Sequence, residues 1–231
     1  MRVVLQPIPV PFPMKFTSFR LGWLLLVLSC LAGSVQAAPA KAGKPGKQPG
    51  KDEVVTLTTA QGIIRLVLFD NTPLHKANFL QKAKSGFYDG TTFHRVIPGF
   101  MIQGGDANSK DAEPSNDGLG RADEGTIPAE FAAGHQHRYG ALAAARQGDF
   151  ANPQRASSSS QFYLVENHDG THFLDGQYTV FGQVVQGLDV IDKIAKLPKD
   201  GRDRPIADLK MTLKVEKMKR KKIAKLYGYT Y

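Results

Sequence analysis

From Val54 onward the chain is a succession of short apolar runs interrupted by Gly, Pro, Asn and Asp, a pattern that suits antiparallel β-structure and little else. Val54-Val55-Thr56-Leu57-Thr58 is β-branched and alternating, Thr59-Ala60-Gln61-Gly62 supplies turn chemistry, and Ile63-Ile64-Arg65-Leu66-Val67-Leu68 returns as a second strand. Further runs follow at Thr92 to Ile97, Phe100 to Gln103, Ala141 to Ala145, Gln161 to Val165, Tyr178 to Val185 and Lys210 to Val215. Only two stretches carry helical spacing. One opens at Asn71-Thr72-Pro73, with proline at the first helical position, and runs through Ala77, Leu80, Gln81 and Lys84 to Gly86. The other places Leu188, Ile191, Ile194 and Ala195 on one face and stops at Pro198. About eight strands and two short helices, without strand-helix alternation, predict a mainly β protein built as a closed barrel, with a sandwich as the alternative architecture.

The 231 residues, 42% of them hydrophobic, suffice for one core and hardly for two. Asn108 to Thr126 and Asp149 to Ser160 are too polar for that core and read as long surface loops. Ahead of the domain, Arg2, Lys15 and Arg20 precede an apolar run from Leu21 to Leu31, and a small-residue stretch ends at Val35-Gln36-Ala37-Ala38. That is the order of a secretory signal peptide, so residues 1–37 are expected as a leader cleaved after Ala37, with Met14 as an alternative start. Two other fates stay open, lipidation at Cys30 and an uncleaved N-terminal anchor; all three place the domain in the cell envelope, the periplasm in the simplest case. Cys30 is the only cysteine, so a chain cleaved after Ala37 forms no disulfide. Residues 38–52, rich in Ala, Gly, Pro and Lys, read as a flexible basic linker; 53–216 as the domain; 217–231 as a basic tail.

The net charge of +9 sits in the flanks, because residues 52–213 sum to −4. A nucleic-acid protein is expected to place its basic stripe on the domain, interleaved with aromatics, so no nucleic-acid partner is expected. Charge in the flanks fits solubility or a weak attraction to anionic lipid or cell-wall polymer.

The most informative run is Phe93-His94-Arg95-Val96-Ile97-Pro98-Gly99-Phe100-Met101-Ile102-Gln103-Gly104-Gly105-Asp106. An arginine embedded among apolar residues cannot shed its charge, so it must be paired or must line a cleft with its guanidinium offered to a ligand. The run resembles the signature of the cyclophilins. Two further blocks agree with that family in order and spacing: Gly140 to Arg146 with Ser158 to Tyr163, and Phe173 to Gly182. The resemblance spans roughly Glu53 to Glu216 and implies a closed eight-stranded antiparallel β-barrel capped by two short helices.

The activity it implies is peptidyl-prolyl cis-trans isomerisation, rotation about X-Pro bonds in folding, exported proteins, with no cofactor and no metal. Arg95 is the implied catalytic residue. Phe100, Met101, Phe162 and Leu174 would form the proline pocket, with His94 at its rim. Gln103 and Gln161 would hold the peptide backbone and orient Arg95. Ala145 and Arg146 would line the path of the residue before proline. Phe173, Tyr163, Tyr178 and Arg146 stand where many members carry Trp, Phe, His and Asn. Phe173 and Tyr178 count with the substrate-binding set, and loss of the indole N–H at Phe173 predicts only weak cyclosporin binding. A monomer is expected.

The rival reading is a binding module that keeps the pocket as a proline-peptide receptor. His135-x-His137 and His168-x3-His172 invite a metal reading, but Asp169-Gly170 breaks the helix that the second pair would need, and no cysteine ligand is at hand. Ser157 to Ser160 lack the G-x-S-x-G elbow of a hydrolase, and neither Gly104-Gly105 nor Gly118-x-Gly120 follows a phosphate-binding pattern.

Overall fold

The opening hairpin forms where the alternation places it. In the computed structural model, which describes residues 50–231, β1 (Lys51–Thr59) pairs antiparallel with β2 (Gly62–Leu68). The expected leader, Cys30, Met14 and the linker up to residue 49 lie outside the described residues. Helix α1 (Pro73–Lys84) begins at its proline, and its first free amides, those of Leu74 and His75, donate to the Glu130 carboxylate at 3.0 and 2.9 Å. A distant loop thus caps the helix in place of Thr72, whose side chain makes no cap bond.

The strands β3 (Phe93–Ile97), β4 (Met101–Gly104), β5 (Thr126–Ile127), β6 (Ala141–Ala144), β7 (Ser157–Ser158), β8 (Phe162–Val165), β9 (Val180–Gln186) and β10 (Met211–Lys219) follow, with α2 (Leu188–Ala195) before β10. Eight of the ten strands form one antiparallel sheet in the order β10-β1-β2-β9-β6-β8-β4-β3, and β5 and β7 pair separately.

The expected closed barrel is corrected to a curled half-barrel. The sheet bends until its two edges approach, yet between β3 and β10 there is only an isolated bridge, Thr92 to Lys210, beside bonds such as Phe93 N–H to the Leu209 carbonyl at 3.1 Å. The rest of the β3 edge is taken by the loop after α2: Val96 N–H donates to the Asp203 carbonyl at 2.8 Å and Lys199 Nζ to the Val96 carbonyl at 3.2 Å. Covering an edge with a loop satisfies its backbone without a ladder. Arg220–Tyr227, expected within a basic tail, forms a third helix, α3. Its Ile223 is buried against Val54 and Val67.

Alternation then divides the strands between two faces. Ile102, Leu142, Phe162 and Leu164 enter the main core inside the curl, with Leu57, Leu66, Phe79 and Ile191. Met101, Ala141, Ala143, Tyr163 and Val165 point the other way and build a second apolar cluster, against which Phe100, Leu174 and Tyr178 pack. The described residues 50–231 form one compact unit with its own core. Among the described residues no helix is long and apolar enough to cross a membrane.

Candidate active site

Cross-strand pairing sets four side chains in a row on the outer face. Arg95 on β3 is opposite Gln103 on β4, Gln103 is opposite Tyr163 on β8, and Tyr163 is opposite Ala143 on β6. Arg95 reaches this row through an irregularity. Phe93 pairs with Gly104 but Arg95 pairs with Gln103, so two steps on β3 match one on β4 and His94 is the extra residue of a bulge. Phe93 and Arg95 are two residues apart and in a regular strand would share a face; the bulge sends Phe93 into the core and leaves Arg95 exposed on the outside. The start of the next segment is equally constrained. Gly105 has φ +88°, and a Cβ there would lie 2.7 Å from the Ser160 carbonyl, so the QGGD turn accepts nothing larger at this position.

The row opens onto a cleft of about 220 Å³ lined by Arg95, Phe100, Met101, Gln103, Ala145, Arg146, Tyr163, Leu174 and Tyr178. Met101, Tyr163 and Ala145 are its buried apolar base. The small side chain at Ala145 leaves space that a larger residue would fill. A wider groove of about 480 Å³ shares Gln103, Ala145 and Arg146 with the cleft and runs between the two polar loops, past Gly118, Glu124 and Asn152. Together they form an apolar pocket continuous with a polar trough, a shape that suits a ring-bearing residue within an extended peptide.

Two arginines border the cleft in opposite conditions. Arg146 is almost wholly buried and held: Nε donates to the Gln177 carbonyl at 2.9 Å and Nη1 to the Gln147 carbonyl at 2.8 Å, with Asp149 at 2.6 Å and the Tyr178 ring at 4.3 Å from the guanidinium. It acts as a rigid wall. Arg95 makes no side-chain hydrogen bond or ion pair with any described residue, so its donors are available to a ligand. Gln103 Nε2 donates to Gln161 Oε1 at 3.0 Å, and Gln161 Nε2 to the Gly118 carbonyl at 3.1 Å. These amides brace each other and the loop; neither bonds Arg95.

The expected pocket membership of Phe162 is corrected. It is 1% exposed within the main core and meets Phe79 and Tyr88 edge-on at 5.4 and 5.6 Å, on the far side of the sheet from the cleft. A one-residue shift of parity moves a side chain to the opposite face, and Tyr163 occupies the place assigned to Phe162. His94 is not at the rim of this pocket either. It is buried beneath Gly118, and burial holds it below the ordinary histidine range, hence neutral. Phe173 stands out at 70% exposure, its ring stacked 6.0 Å from that of Phe100. Gln161 borders the wider groove in place of the cleft.

Behind Tyr163 lies a polar group that the sequence reading did not assign to the site. His137, fully buried, has Nδ1 2.7 Å from Asp175 Oδ1 and Nε2 2.9 Å from the Tyr163 hydroxyl. Burial holds His137 below the ordinary range, so it is neutral; its Nδ1–H donates to the carboxylate and its Nε2 accepts from the hydroxyl. The same burial pushes the Tyr163 hydroxyl well above its usual range. The sequence signal was the tyrosine itself, a polar tip in an apolar place that needs a partner.

A family model of cyclophilin-type peptidyl-prolyl cis-trans isomerases matches residues 54–215. This chain belongs to that family. A peptidyl-prolyl cis-trans isomerase of Acinetobacter baylyi is 39% identical over 151 residues, 63% of this chain and 73% of the relative. Peptidyl-prolyl cis-trans isomerase-like 3 of Dictyostelium discoideum is 37% identical over 160 residues, 67% of this chain and 89% of the relative. Among solved structures, a cyclophilin-type isomerase of Cryptosporidium parvum superposes with a TM-score of 0.58 at 27% identity, covering 71% of this chain and 98% of its own. A second structure of that protein was determined in the presence of the dipeptide Ala-Pro. The chain is thus a cyclophilin-type isomerase whose cleft departs from many members at Tyr163, Tyr178, Phe173 and Arg146, and the first two of these departures are tied into the neighbouring structure by His137 and Arg146.

Proposed function

We propose that this cyclophilin-type isomerase turns X-Pro bonds by seating the proline ring on Met101, Tyr163 and Leu174 while Arg95 stabilises the twisted imide. Planarity of the amide opposes rotation by about 18 to 20 kcal/mol, because the half-turned state loses resonance. In that state the imide nitrogen becomes pyramidal and gains a lone pair that can accept a hydrogen bond. The Arg95 guanidinium can donate to it then and not in either planar form, which is binding specific to the transition state. A millionfold acceleration needs about 8 kcal/mol, more than one such bond supplies. The remainder is assigned to orientation along the polar groove and to removal of water from the carbonyl. No covalent step, metal or cofactor is invoked.

The observation that carries this reading is the contrast between the two arginines at the cleft: Arg146 is tied to protein carbonyls and a carboxylate, and Arg95 is tied to nothing described. The substrates are proposed to be proline-containing segments of exported proteins, on the strength of the leader-like residues 1–37. Two measurements test the proposal. A protease-coupled assay on a proline peptide is expected to show catalysed isomerisation, and a chain that binds the peptide without accelerating it would be the receptor of the rival reading. N-terminal sequencing of protein recovered from the cell envelope is expected to begin at Ala38; an intact Met1 or Met14, or a lipidated Cys30, would revise the route of export.

A further inference from the structure

Where β1 begins and β10 ends, Lys51 is directly opposite Lys219, and α3 follows without a break. The rotation of α3 is fixed by what it buries. Ile223 packs with Val54 and Val67, and Arg220 forms ion pairs with Asp70 and, at 3.6 Å, with Asp52. At 3.6 residues per turn the outward face then carries Lys221, Lys222, Lys225 and Leu226, all of them exposed.

The side chains of the five lysines Lys51, Lys219, Lys221, Lys222 and Lys225 make no hydrogen bond or ion pair with any described residue. Their acidic neighbours are already engaged, since Asp52 and Asp70 are shared by Lys76 and Arg220. Glu216 is the only acid after Asp208. Like charges directly opposite on paired strands repel, so the exposed Lys51–Lys219 pair costs the fold a little, and an anion from outside would relieve that repulsion. In the sequence, Lys41, Lys44 and Lys47 lead straight into Lys51 and add to the same end of the domain's sequence.

We propose that this lysine face docks the domain on an anionic phospholipid surface. The exposed cations are all lysines, compact point charges suited to phosphate headgroups, whereas base recognition draws on arginine forks and stacking aromatics. Leu226, 54% exposed beside them, offers an apolar side chain to the headgroup boundary. A leader of the kind proposed for residues 1–37 would deliver the chain at a membrane to begin with. None of β1, β10 and α3 contributes a residue to the cleft, so docking leaves the isomerase residues untouched. The proposal is independent of the role given to Arg95.

The test uses the chain from Ala38 onward, which keeps the whole compact unit. Vesicles of phosphatidylcholine mixed with phosphatidylglycerol are expected to sediment it, and vesicles of pure phosphatidylcholine are not. The triple variant Lys221→Gln, Lys222→Gln, Lys225→Gln is expected to bind the mixed vesicles at least about tenfold more weakly. Wild-type binding is expected to vanish as salt shortens the screening length to about 3 Å near 1 M. An unchanged isomerisation rate on a soluble peptide shows that the triple variant is folded. Equal partition onto both vesicle types, undiminished binding by the triple variant, or tighter association with duplex DNA or RNA than with the mixed vesicles at the same salt would overturn the proposal.

Discussion

The Tyr163 hydroxyl lies 2.9 Å from Nε2 of His137, so the base of an apolar cleft is anchored from behind by a buried neutral imidazole. The two rings are nearly parallel, 13° apart with centroids 6.0 Å distant, and Asp175 fixes the tautomer of His137 from the other side. Tyr163→Phe removes the donor and strands a buried acceptor, at a cost of about 1–3 kcal/mol. Thermal unfolding is expected to register the loss, while kcat/KM on a proline peptide stays near the wild-type value because the ring that faces the cleft is kept. A collapse of kcat/KM with an unchanged midpoint would mean that the hydroxyl serves the substrate and not His137.

Core and cleft make opposite demands on neighbouring residues. Phe162→Ala is expected to cost about 3–5 kcal/mol of stability through the cavity it leaves among Phe79, Tyr88 and Phe93. Leu174→Ala, at a half-buried position on the cleft, is expected to raise KM for proline peptides with little loss of stability. Urea unfolding and steady-state kinetics on both variants distinguish the roles; the reverse pattern would return Phe162 to the pocket.

Three buried histidines set the acid limit of stability. His75, His94 and His137 are each held by burial below the ordinary histidine value of about 6.5, so the unfolded chain binds protons that the fold refuses. Stability from this source is present above pH 6.5 and is lost as the pH falls below it toward the folded values. The unfolding midpoint is expected to be level from about pH 7 to 8 and to fall on acidification, less steeply in His94→Asn. The isomerisation rate of the folded protein is expected to be flat between about pH 6 and 8, since no proton is transferred and arginine keeps its charge. A bell-shaped rate profile in that interval would contradict the mechanism.

Phe173 projects from the rim without the indole N–H that tryptophan would present there. Calorimetry is expected to give a weaker cyclosporin dissociation constant than for Phe173→Trp, with the two proteins isomerising a peptide at similar rates. Equal affinities would show that the donor at this position is immaterial.

Much of the fold was legible because it rests on periodicity. The β1–β2 hairpin follows from alternation about a polar turn, and α1 starts at Pro73 because a missing N–H costs nothing there. What was not legible is non-local. A bulge at His94 has no signature of its own, yet it decides that Arg95 faces outward. Without knowledge of the ladder, Phe162 and Tyr163 are both aromatic candidates for the cleft, and only the register separates them. The cover over the β3 edge depends on Asp203 arriving from a loop more than a hundred residues later. Helix α3 was hidden by its own composition, since a run of lysines reads as a solvated tail until Ile223 and Arg220 find Val54 and Asp70.

The role of the free guanidinium is tested most directly by comparing wild type, Arg95→Lys and Arg95→Ala in a protease-coupled isomerisation assay, with peptide affinity measured in parallel. The account predicts that kcat falls by at least about a hundredfold in Arg95→Ala, the loss expected when a donor made for the transition state is removed. Affinity for the proline peptide should change far less, and Arg95→Lys should recover only part of the rate because an ammonium lacks the fixed fork. Equal rates for wild type and Arg95→Ala would contradict it.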